Sequence, residues 1–250
     1  MRSVERAASD SSPRYARLAA AADRERWSVE CDIRWPAVDR TRAYDRCDLL
    51  DQLRTAALVA SCHPVHFGWM LHDTWDDVDA GATIALELYD GFKHFHALRR
   101  YLDAIGYEPA ITHAELVAIR ASAHARGPTG TLVERLVQCM LSEHLASYFF
   151  RRIGEQATDP VLAELLALIA ADEVRHAHAA YDLLASRIAS DPRLTARVLD
   201  AATHFHHFAE QAVGVVPVAL PGDPLAIRSF ARCIERLCGV RLVDHLKGRL

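Results

Sequence analysis

The chain of 250 residues is long enough to bury a sizeable core, either as one large domain or as two small ones. Hydrophobic residues make up 51% and charged residues 25%, as in an ordinary soluble globular protein. The net charge of −4 argues against a general nucleic-acid binder. The six cysteines show no Cys-x-x-Cys spacing, and neither an export signal nor the roughly 18 apolar residues of a membrane span is recognisable. We therefore expect a cytoplasmic protein with reduced cysteines.

After a polar beginning, helical periodicity runs through nearly the whole chain. Residues 1–26 are expected to be a loose segment and residues 27–250 a single helical domain, on whose body the stretch from Trp27 to Trp35 packs. Proline and glycine signals bound the predicted helices, which are 41–62, 80–104, 112–125, 130–156, 160–188, 192–212 and 225–248. The first, second, fourth and fifth of these predict an all-α four-helix bundle with additional helices. The last would pack on the bundle or form a homodimer contact.

The segment 170–182 is the most informative of the chain, because it places a Glu-x-x-His pair in a strongly helical sequence. Residues three apart share one face of a helix, so Glu173 and His176 can bind one metal ion through a carboxylate oxygen and an imidazole nitrogen. Helical winding places both on the apolar stripe, while Arg175 and His178 point away. A buried carboxylate needs a partner, because burying a bare charge is costly. The pattern predicts a metal site inside a helical bundle.

A second carboxylate lies on the apolar stripe of the preceding helix. Glu143 falls within this stripe of helix 130–156. Taken alone, such a glutamate more often pairs with an arginine at the edge of the stripe. With Glu173 and His176 on the next helix, a carboxylate-bridged metal centre becomes the favoured interpretation.

Helix 80–104 contributes a third set of candidates, since Glu87, Gly91 and His94 share one margin of its apolar face. A lone histidine there is usually a hydrogen-bonded core residue, but the neighbouring helices make a metal ligand equally plausible. Glycine inside a helix costs roughly 1 kcal/mol relative to alanine. Gly91 therefore indicates a close approach by another chain or a ligand, or a side chain that has been lost.

The residues Ala170-Ala-Asp-Glu-Val-Arg-His176, followed by Tyr181 and Asp191-Pro192, resemble the second metal motif of the soluble acyl-carrier-protein desaturases. These enzymes belong to the ferritin-like di-iron superfamily, whose ligands are a Glu, a Glu-x-x-His, a second Glu and a second Glu-x-x-His from four helices. The resemblance implies an iron centre, di-iron or altered, with the ligands His94, Glu143, Glu173 and His176. It also implies that Asp172 accepts a hydrogen bond that fixes the tautomer of a ligand histidine.

Two positions depart from the pattern of this family. If His94 is the histidine of the first motif, its paired glutamate is replaced by Gly91. The first bundle helix has no glutamate, and its inward positions are Leu50, Leu53, Ala57 and Ala60. Glu87, one turn before Gly91, is the candidate substitute. His63 and His66 are further candidates, for which a surface or capping role is the stronger expectation.

The resemblance implies an O2-dependent oxidoreductase that desaturates or hydroxylates an acyl or carrier-tethered substrate. Its partners would be an acyl carrier protein and an electron donor such as ferredoxin. The candidate channel residues are Phe92, Phe95, Phe149 and Phe150. The candidate basic contacts for an acidic carrier are Lys93, Arg99, Arg100, Arg151 and Arg152.

Two alternatives remain open. The first is a ferritin-like protein with a degenerate metal site that acts as a binding or partner subunit. The second is a di-iron oxygenase of specialised metabolism that acts on an amine or aromatic compound. The histidine cluster at 204–207 is assigned no function at this stage.

Overall fold

The computed structural model of the chain describes residues 14–208, 210 and 224–247, and these contain no strand. The all-α class is thus confirmed. The α-helices, in chain order, are α1 (Arg14–Glu25), α2 (Arg40–Tyr44), α3 (Cys47–Ala60), α4 (His63–Asp73), α5 (Val78–Ile105), α6 (His113–Arg126), α7 (Leu132–Gln156), α8 (Pro160–Ser190), α9 (Leu194–Thr203), α10 (Pro224–Cys238) and α11 (Leu242–Lys247). A short 3-10 turn lies at Trp35–Ala37. No helix in these ranges is long and apolar enough to cross a membrane.

The long bundle helices begin and end at strong local signals. Asp77 and Asp159 cap α5 and α8, their carboxylates accepting hydrogen bonds from the backbone N–H of Ala80 and Val161. Thr131 forms a capping box with Glu134 at the start of α7. Gly106 ends α5 with a φ of 65°, a left-handed conformation that glycine adopts without steric cost. These caps fix the boundaries of the helices that form the site.

The bundle consists of two helix pairs. α7 packs along α8, α3 and α4 pack on α5, and contact between α5 and α8 joins the pairs. Two apolar clusters fill the core. The first includes Leu50, Leu53, Leu98, Ile153 and Leu162, and the second includes Phe67, Ile84, Met140, Leu184 and Val198. Along α5, α7 and α8 the buried polar residues lie between these clusters, in the middle of the bundle.

Helix α4 differs from the prediction, which took Pro64 as the end of a helix over 41–62. The structure ends α2 at Tyr44, starts α3 at Cys47, and places Pro64 in the first turn of α4. Proline is favoured at this position because the missing N–H has no helical partner to lose. α4 buries His63 and His66, each 7% exposed, so the expected surface role for these histidines is wrong.

The two ends of the chain also differ from the predicted pattern. Residues 14–25, within the segment expected to be loose, form α1, which packs on α5. Residues 1–13 and 211–223 lie outside the described residues. The predicted helix 192–212 is too long, because α9 ends at Thr203 and residues 204–207 are not helical. The predicted helix 225–248 divides into α10 and α11 after Gly239, which has a φ of 67°.

Candidate metal centre

Three predicted ligands meet in the middle of the bundle. Glu143 on α7 and Glu173 and His176 on α8 each place a ligand atom within 4.8 Å of the other two. Their exposed fractions are 3%, 3% and 4%. Because Glu173 and His176 are one turn apart, α8 directs both side chains towards α7, as the winding of the sequence indicates.

The fourth predicted ligand lies beside this cluster. His94 on α5 places Nδ1 3.1 Å from Glu173 Oε1, and His176 places Nδ1 3.0 Å from Glu173 Oε2. The two imidazole centroids are 5.8 Å apart. Glu173 is therefore held between two histidines from different helices, with one carboxylate oxygen towards each ring.

The other nitrogen of each ring faces an aspartate. His94 Nε2 lies 2.9 Å from Asp172 Oδ2, and His176 Nε2 lies 3.1 Å from Asp90 Oδ2. Because each aspartate accepts a hydrogen bond from Nε2, the proton of the neutral imidazole stays on Nε2. Nδ1 is then the nitrogen available to a metal. Asp172 stands where the sequence placed it, whereas Asp90 was not predicted.

Two cations hold these aspartates in place. Lys93 Nζ lies 2.8 Å from Asp90 Oδ1 and 2.9 Å from Asp172 Oδ2. Arg175 Nη2 lies 2.6 Å from Asp90 Oδ2 and 2.9 Å from Asp172 Oδ1. Lys93 is 7% exposed, so its expected role as a surface contact for a carrier protein is wrong. Arg175, predicted to point away, contacts the site from its edge.

The N-terminal segment closes this side of the centre. Trp27 is 4% exposed, and its Nε1 donates a 2.8 Å hydrogen bond to Asp172 Oδ2. Lys93 Nζ lies 4.4 Å from the centroid of the Trp27 ring, and the indole stacks parallel to His94 at 6.2 Å. The segment thus packs on the bundle, as the tryptophans indicated, and contacts the outer partner of a candidate ligand.

The two central carboxyl groups titrate in opposite directions. Burial, followed by the charge of Glu173, raises the pKa of Glu143 well above its ordinary value. Burial opposes ionisation of Glu173 too, but the charge of His94 and hydrogen bonds from Glu143 and His176 hold its pKa well below the ordinary value. The pair therefore shares one proton, with neutral Glu143 donating to ionised Glu173. A metal ion that binds both oxygens would displace this proton.

The charges around the centre favour a cation. Five acidic side chains are buried here among the described residues, namely Glu87, Asp90, Glu143, Asp172 and Glu173. The permanent cations that contact them are two, Lys93 and Arg175. The five carboxylates would exceed these two cations by three charges. Without a metal, neutral Glu143 and the imidazoles of His94 and His176, whose pKa values the neighbouring carboxylates raise against the effect of burial, offset this excess. The carboxylate and imidazole donors, with this excess, fit a divalent ion such as Fe(II).

Position 91 shows why no carboxylate completes the first motif. An ideal β-carbon on Gly91 would lie 1.7 Å from His63 Nδ1, so the imidazole of His63 occupies the space of the missing side chain. Glu87 is buried, with a pKa raised to about 7 by that burial. Its Oε2 accepts a hydrogen bond from Cys139 Sγ at 3.6 Å. The carboxylate of Glu87 does not join the three ligand atoms that meet.

A cavity of about 50 Å³ lies against the centre. Its lining residues are Ala56, Val59, Ala60, His63, His94, Ser142, Glu143, Ala146, Phe149, Phe150, Glu173, His207 and Phe208. Phe149 and Phe150 line the cavity, whereas Phe92, which is 52% exposed, and Phe95 do not. Phe95, Phe149 and Phe150 also belong to one apolar core cluster. His207, to which the sequence assigned no function, is buried in this wall.

A family model described as "Ferritin-like domain, actinomycetes" matches residues 74–210. No curated protein and no solved structure matches the chain. The matched range covers α5 to α9, and it includes His94, Glu143, Glu173 and His176. Helices α3 and α4 precede it.

Proposed function

This chain belongs to a family of ferritin-like domains from actinomycetes, and from that premise we propose that it is a non-haem iron oxidoreductase that oxidises an apolar substrate with O2 and with two electrons from an external donor. The observation that supports this most strongly is the buried cluster of Glu143, Glu173 and His176 beside an apolar cavity. A metal centre in contact with a cavity walled in part by alanine, valine and phenylalanine side chains suits an oxidation at a C–H bond.

The ligand pattern supports one complete half of a carboxylate-bridged centre. Proteins of the ferritin-like di-iron type supply a glutamate from each of two helices and a Glu-x-x-His pair from each of the other two. Here α7 supplies Glu143 and α8 supplies Glu173 and His176. The other half retains His94, while α3 has no glutamate, its aspartates Asp48 and Asp51 being exposed, and α5 has Gly91 in the place of one.

Each side chain around the centre has a defined task in this proposal. Iron would supply the activation of O2, which amino-acid side chains do not provide. Glu143 and Glu173 would hold it, and Glu143 would release its proton when the metal binds. Asp172 and Asp90 keep protons on the Nε2 atoms of the two histidines. The aromatic wall of the cavity excludes water from the reacting groups.

The narrower form of the proposal is oxidation of an acyl or carrier-tethered chain. By its volume of about 50 Å³ the cavity admits roughly three or four water-sized groups, so the reacting end of a chain would enter rather than its whole length. With Lys93 buried, a carrier would have to contact other basic residues. The family match extends to the ferritin-like domain and not to the desaturases, so this form rests on the sequence motif.

Iron content tests the proposal directly. The protein, Glu173→Ala and the control Glu164→Ala would be loaded with Fe(II) without oxygen, desalted and measured by elemental analysis. Glu164 lies on the same helix, but its side chain is 48% exposed and pairs with Arg34. We expect stoichiometric iron in the protein and the control, loss of iron in Glu173→Ala, and O2 consumption when the loaded protein is aerated.

A second function is favoured by a specific observation: α3 directs no carboxylate into the centre, since its two aspartates are exposed, and position 91 is a glycine. On this alternative the chain is a helical binding or partner subunit whose metal site has degenerated. A folded protein that retains no stoichiometric iron would support this alternative and refute the oxidoreductase. Iron that binds but consumes no O2 would leave a metal-binding protein without the proposed chemistry.

A further inference from the structure

A second cavity lies where α10 packs on α7 and α8, and we call it the α10 cleft. Its volume is about 340 Å³, and it shares no lining residue with the cavity beside the candidate metal centre. The side contributed by α10 lies outside residues 74–210, the range that the family model matches. The matched pattern therefore contains only part of this cleft.

Hydrogen-bond donors dominate the wall of the α10 cleft. Six of its eight lining residues carry side-chain N–H or O–H groups, namely His144, His178, Tyr181, Ser229, Arg232 and Arg236. Among the described residues that line the cleft none is acidic, although the chain has a net charge of −4. Asp182 and Glu235, which neighbour lining residues in the sequence, do not line it. The cleft is therefore a basic site in an acidic protein.

The two arginines of the cleft lie one turn apart on α10. Within residues 14–208, 210 and 224–247, neither Arg232 nor Arg236 has an ion-pair or hydrogen-bond partner. Like charges four residues apart destabilise a helix. Burial raises the pKa of Tyr181, and the positive charge of Arg236 opposes this rise, so the guanidinium lies close to this phenol of α8. An anion bound by both arginines would remove their mutual repulsion.

The side of the cleft formed by α7 and α8 supplies two imidazoles. Burial and the nearby charge of His178 lower the pKa of His144, so the two rings lie close together. They do not form a metal site with Cys233, because the ligand atoms that meet among the described residues belong to Glu143, Glu173 and His176. The cleft therefore offers guanidinium and imidazole donors to an anion rather than a ligand set to a cation.

We propose that the α10 cleft binds a small organic molecule through its phosphate group. Guanidinium groups bind phosphate oxygens through paired N–H donors. Two of them on one face of α10 suit a group with nearly two negative charges. The imidazole of His178 and the hydroxyl groups of Tyr181 and Ser229 would bind the remaining oxygens.

The number of donors and the size of the cleft narrow the ligand class. A carboxylate offers two oxygens, whereas a phosphomonoester offers three, so six donor side chains match a phosphate better. A volume of about 340 Å³ lies within the range of small-molecule sites, which leaves space for an organic part beside the phosphate. The inference goes beyond the proposed function and does not depend on iron.

Isothermal titration calorimetry in phosphate-free buffer at low ionic strength tests the inference. The probes are inorganic phosphate, glycerol 3-phosphate and adenosine monophosphate, with succinate as a dicarboxylate of similar charge. The variants are Arg232→Gln and Arg236→Gln. The control Arg228→Gln removes the same charge from the same helix, at a position that does not line the cleft.

We expect one phosphomonoester to bind per chain, more tightly than inorganic phosphate or succinate. Each cleft variant removes a charged hydrogen-bond donor and should weaken this binding about tenfold or more. The control should change it by less than about threefold. Arg232 and Arg236 are exposed, so both variants should fold like the unmodified protein, which circular dichroism checks.

Each part of the inference has a result that would overturn it. Equal losses in the control and the cleft variants would mean general electrostatic attraction to α10 and overturn the site. Succinate bound as tightly as the esters would overturn the choice of phosphate, and inorganic phosphate bound as tightly would overturn the organic ligand. If neither ester binds saturably at millimolar concentrations, the whole inference is wrong. The iron content of the protein bears on none of these results, so the proposed function stands or fails separately.

Discussion

Substitution of Asp172 by asparagine tests whether the ionic network around the centre stabilises the fold. The carboxylate is 1% exposed and accepts the Trp27 Nε1 hydrogen bond. It also lies within 2.9 Å of a donor nitrogen of His94, Lys93 and Arg175. Asparagine keeps the size of the side chain but removes its negative charge. It also replaces one of the two acceptor oxygens by an amide N–H₂ group, which cannot accept a hydrogen bond from these donors.

The size of the effect follows from the partners that remain. Removing one member of a buried ion pair costs about 3–5 kcal/mol, because the other charge stays buried. Asp90 still contacts Lys93 and Arg175, so we expect the lower end for Asp172→Asn, about 3 kcal/mol. In a protein of this length that corresponds to a fall in melting temperature of roughly 6–12 °C.

Thermal and urea unfolding, followed by far-ultraviolet circular dichroism, measure this loss. The control is Glu164→Gln on the same helix, where an exposed ion pair with Arg34 should contribute less than about 1 kcal/mol. A stability of Asp172→Asn equal to that of the control would refute the reasoning. If the metal centre forms as proposed, the affinity for Co(II) should also fall by roughly ten- to a hundredfold, since His94 loses its orienting acceptor.

Three further predictions concern the folded chain. Burial lowers the pKa of His66 to about 4, so its imidazole takes up a proton more readily in the unfolded chain than in the folded one. The free energy of unfolding should therefore decrease as the pH falls from about 6.5 to 4. His66→Gln should remove about 3 kcal/mol of that decrease, measured by urea unfolding at pH 7 and pH 4. Tyr101→Phe deletes a buried 2.7 Å hydrogen bond to Asp159 and should cost about 1.5–3 kcal/mol in the same assay. Thr131→Ala removes the capping box with Glu134 and should cost about 1 kcal/mol.

The parts of the fold that the sequence predicted are those with long apolar periodicity. The boundaries of α5, α7 and α8 lie within two residues of the predicted ones, because aspartate, threonine and glycine caps mark them. α4 was missed because a proline near a helix boundary can mark either the end of one helix or the first turn of the next. Local sequence does not separate these cases, and the packing of α4 on α5 decides between them.

The same limit applies to the site. Glu143, Glu173 and His176 were predictable because each is a polar residue on an apolar stripe, which winding alone reveals. Asp90 and Lys93 were not, since both lie at the margin of a stripe and are buried only by the residues of α8 and the N-terminal segment. Pairing between helices depends on their relative rotation, which the sequence of one helix does not contain.

Gly91 was the sequence signal for a neighbour that α5 alone could not identify. Its cost within a helix indicated either a close approach or a lost side chain, and the structure shows the close approach, by the imidazole of His63. The identity of the approaching group could not be found from α5 alone. To identify that group, one must know that α4 begins at His63. This in turn requires placing Pro64 in the first turn of a helix rather than at the end of one.

The hydrogen bond from Trp27 to Asp172 spans 145 positions of the chain, and it joins the family pattern of residues 74–210 to a segment outside it. His63 and the α3 wall of the cavity lie outside that pattern too. The enclosure of the three central ligand candidates is therefore assembled from two portions of the chain: the ligand candidates come from the matched range, and part of the wall around them comes from the 73 residues that precede it.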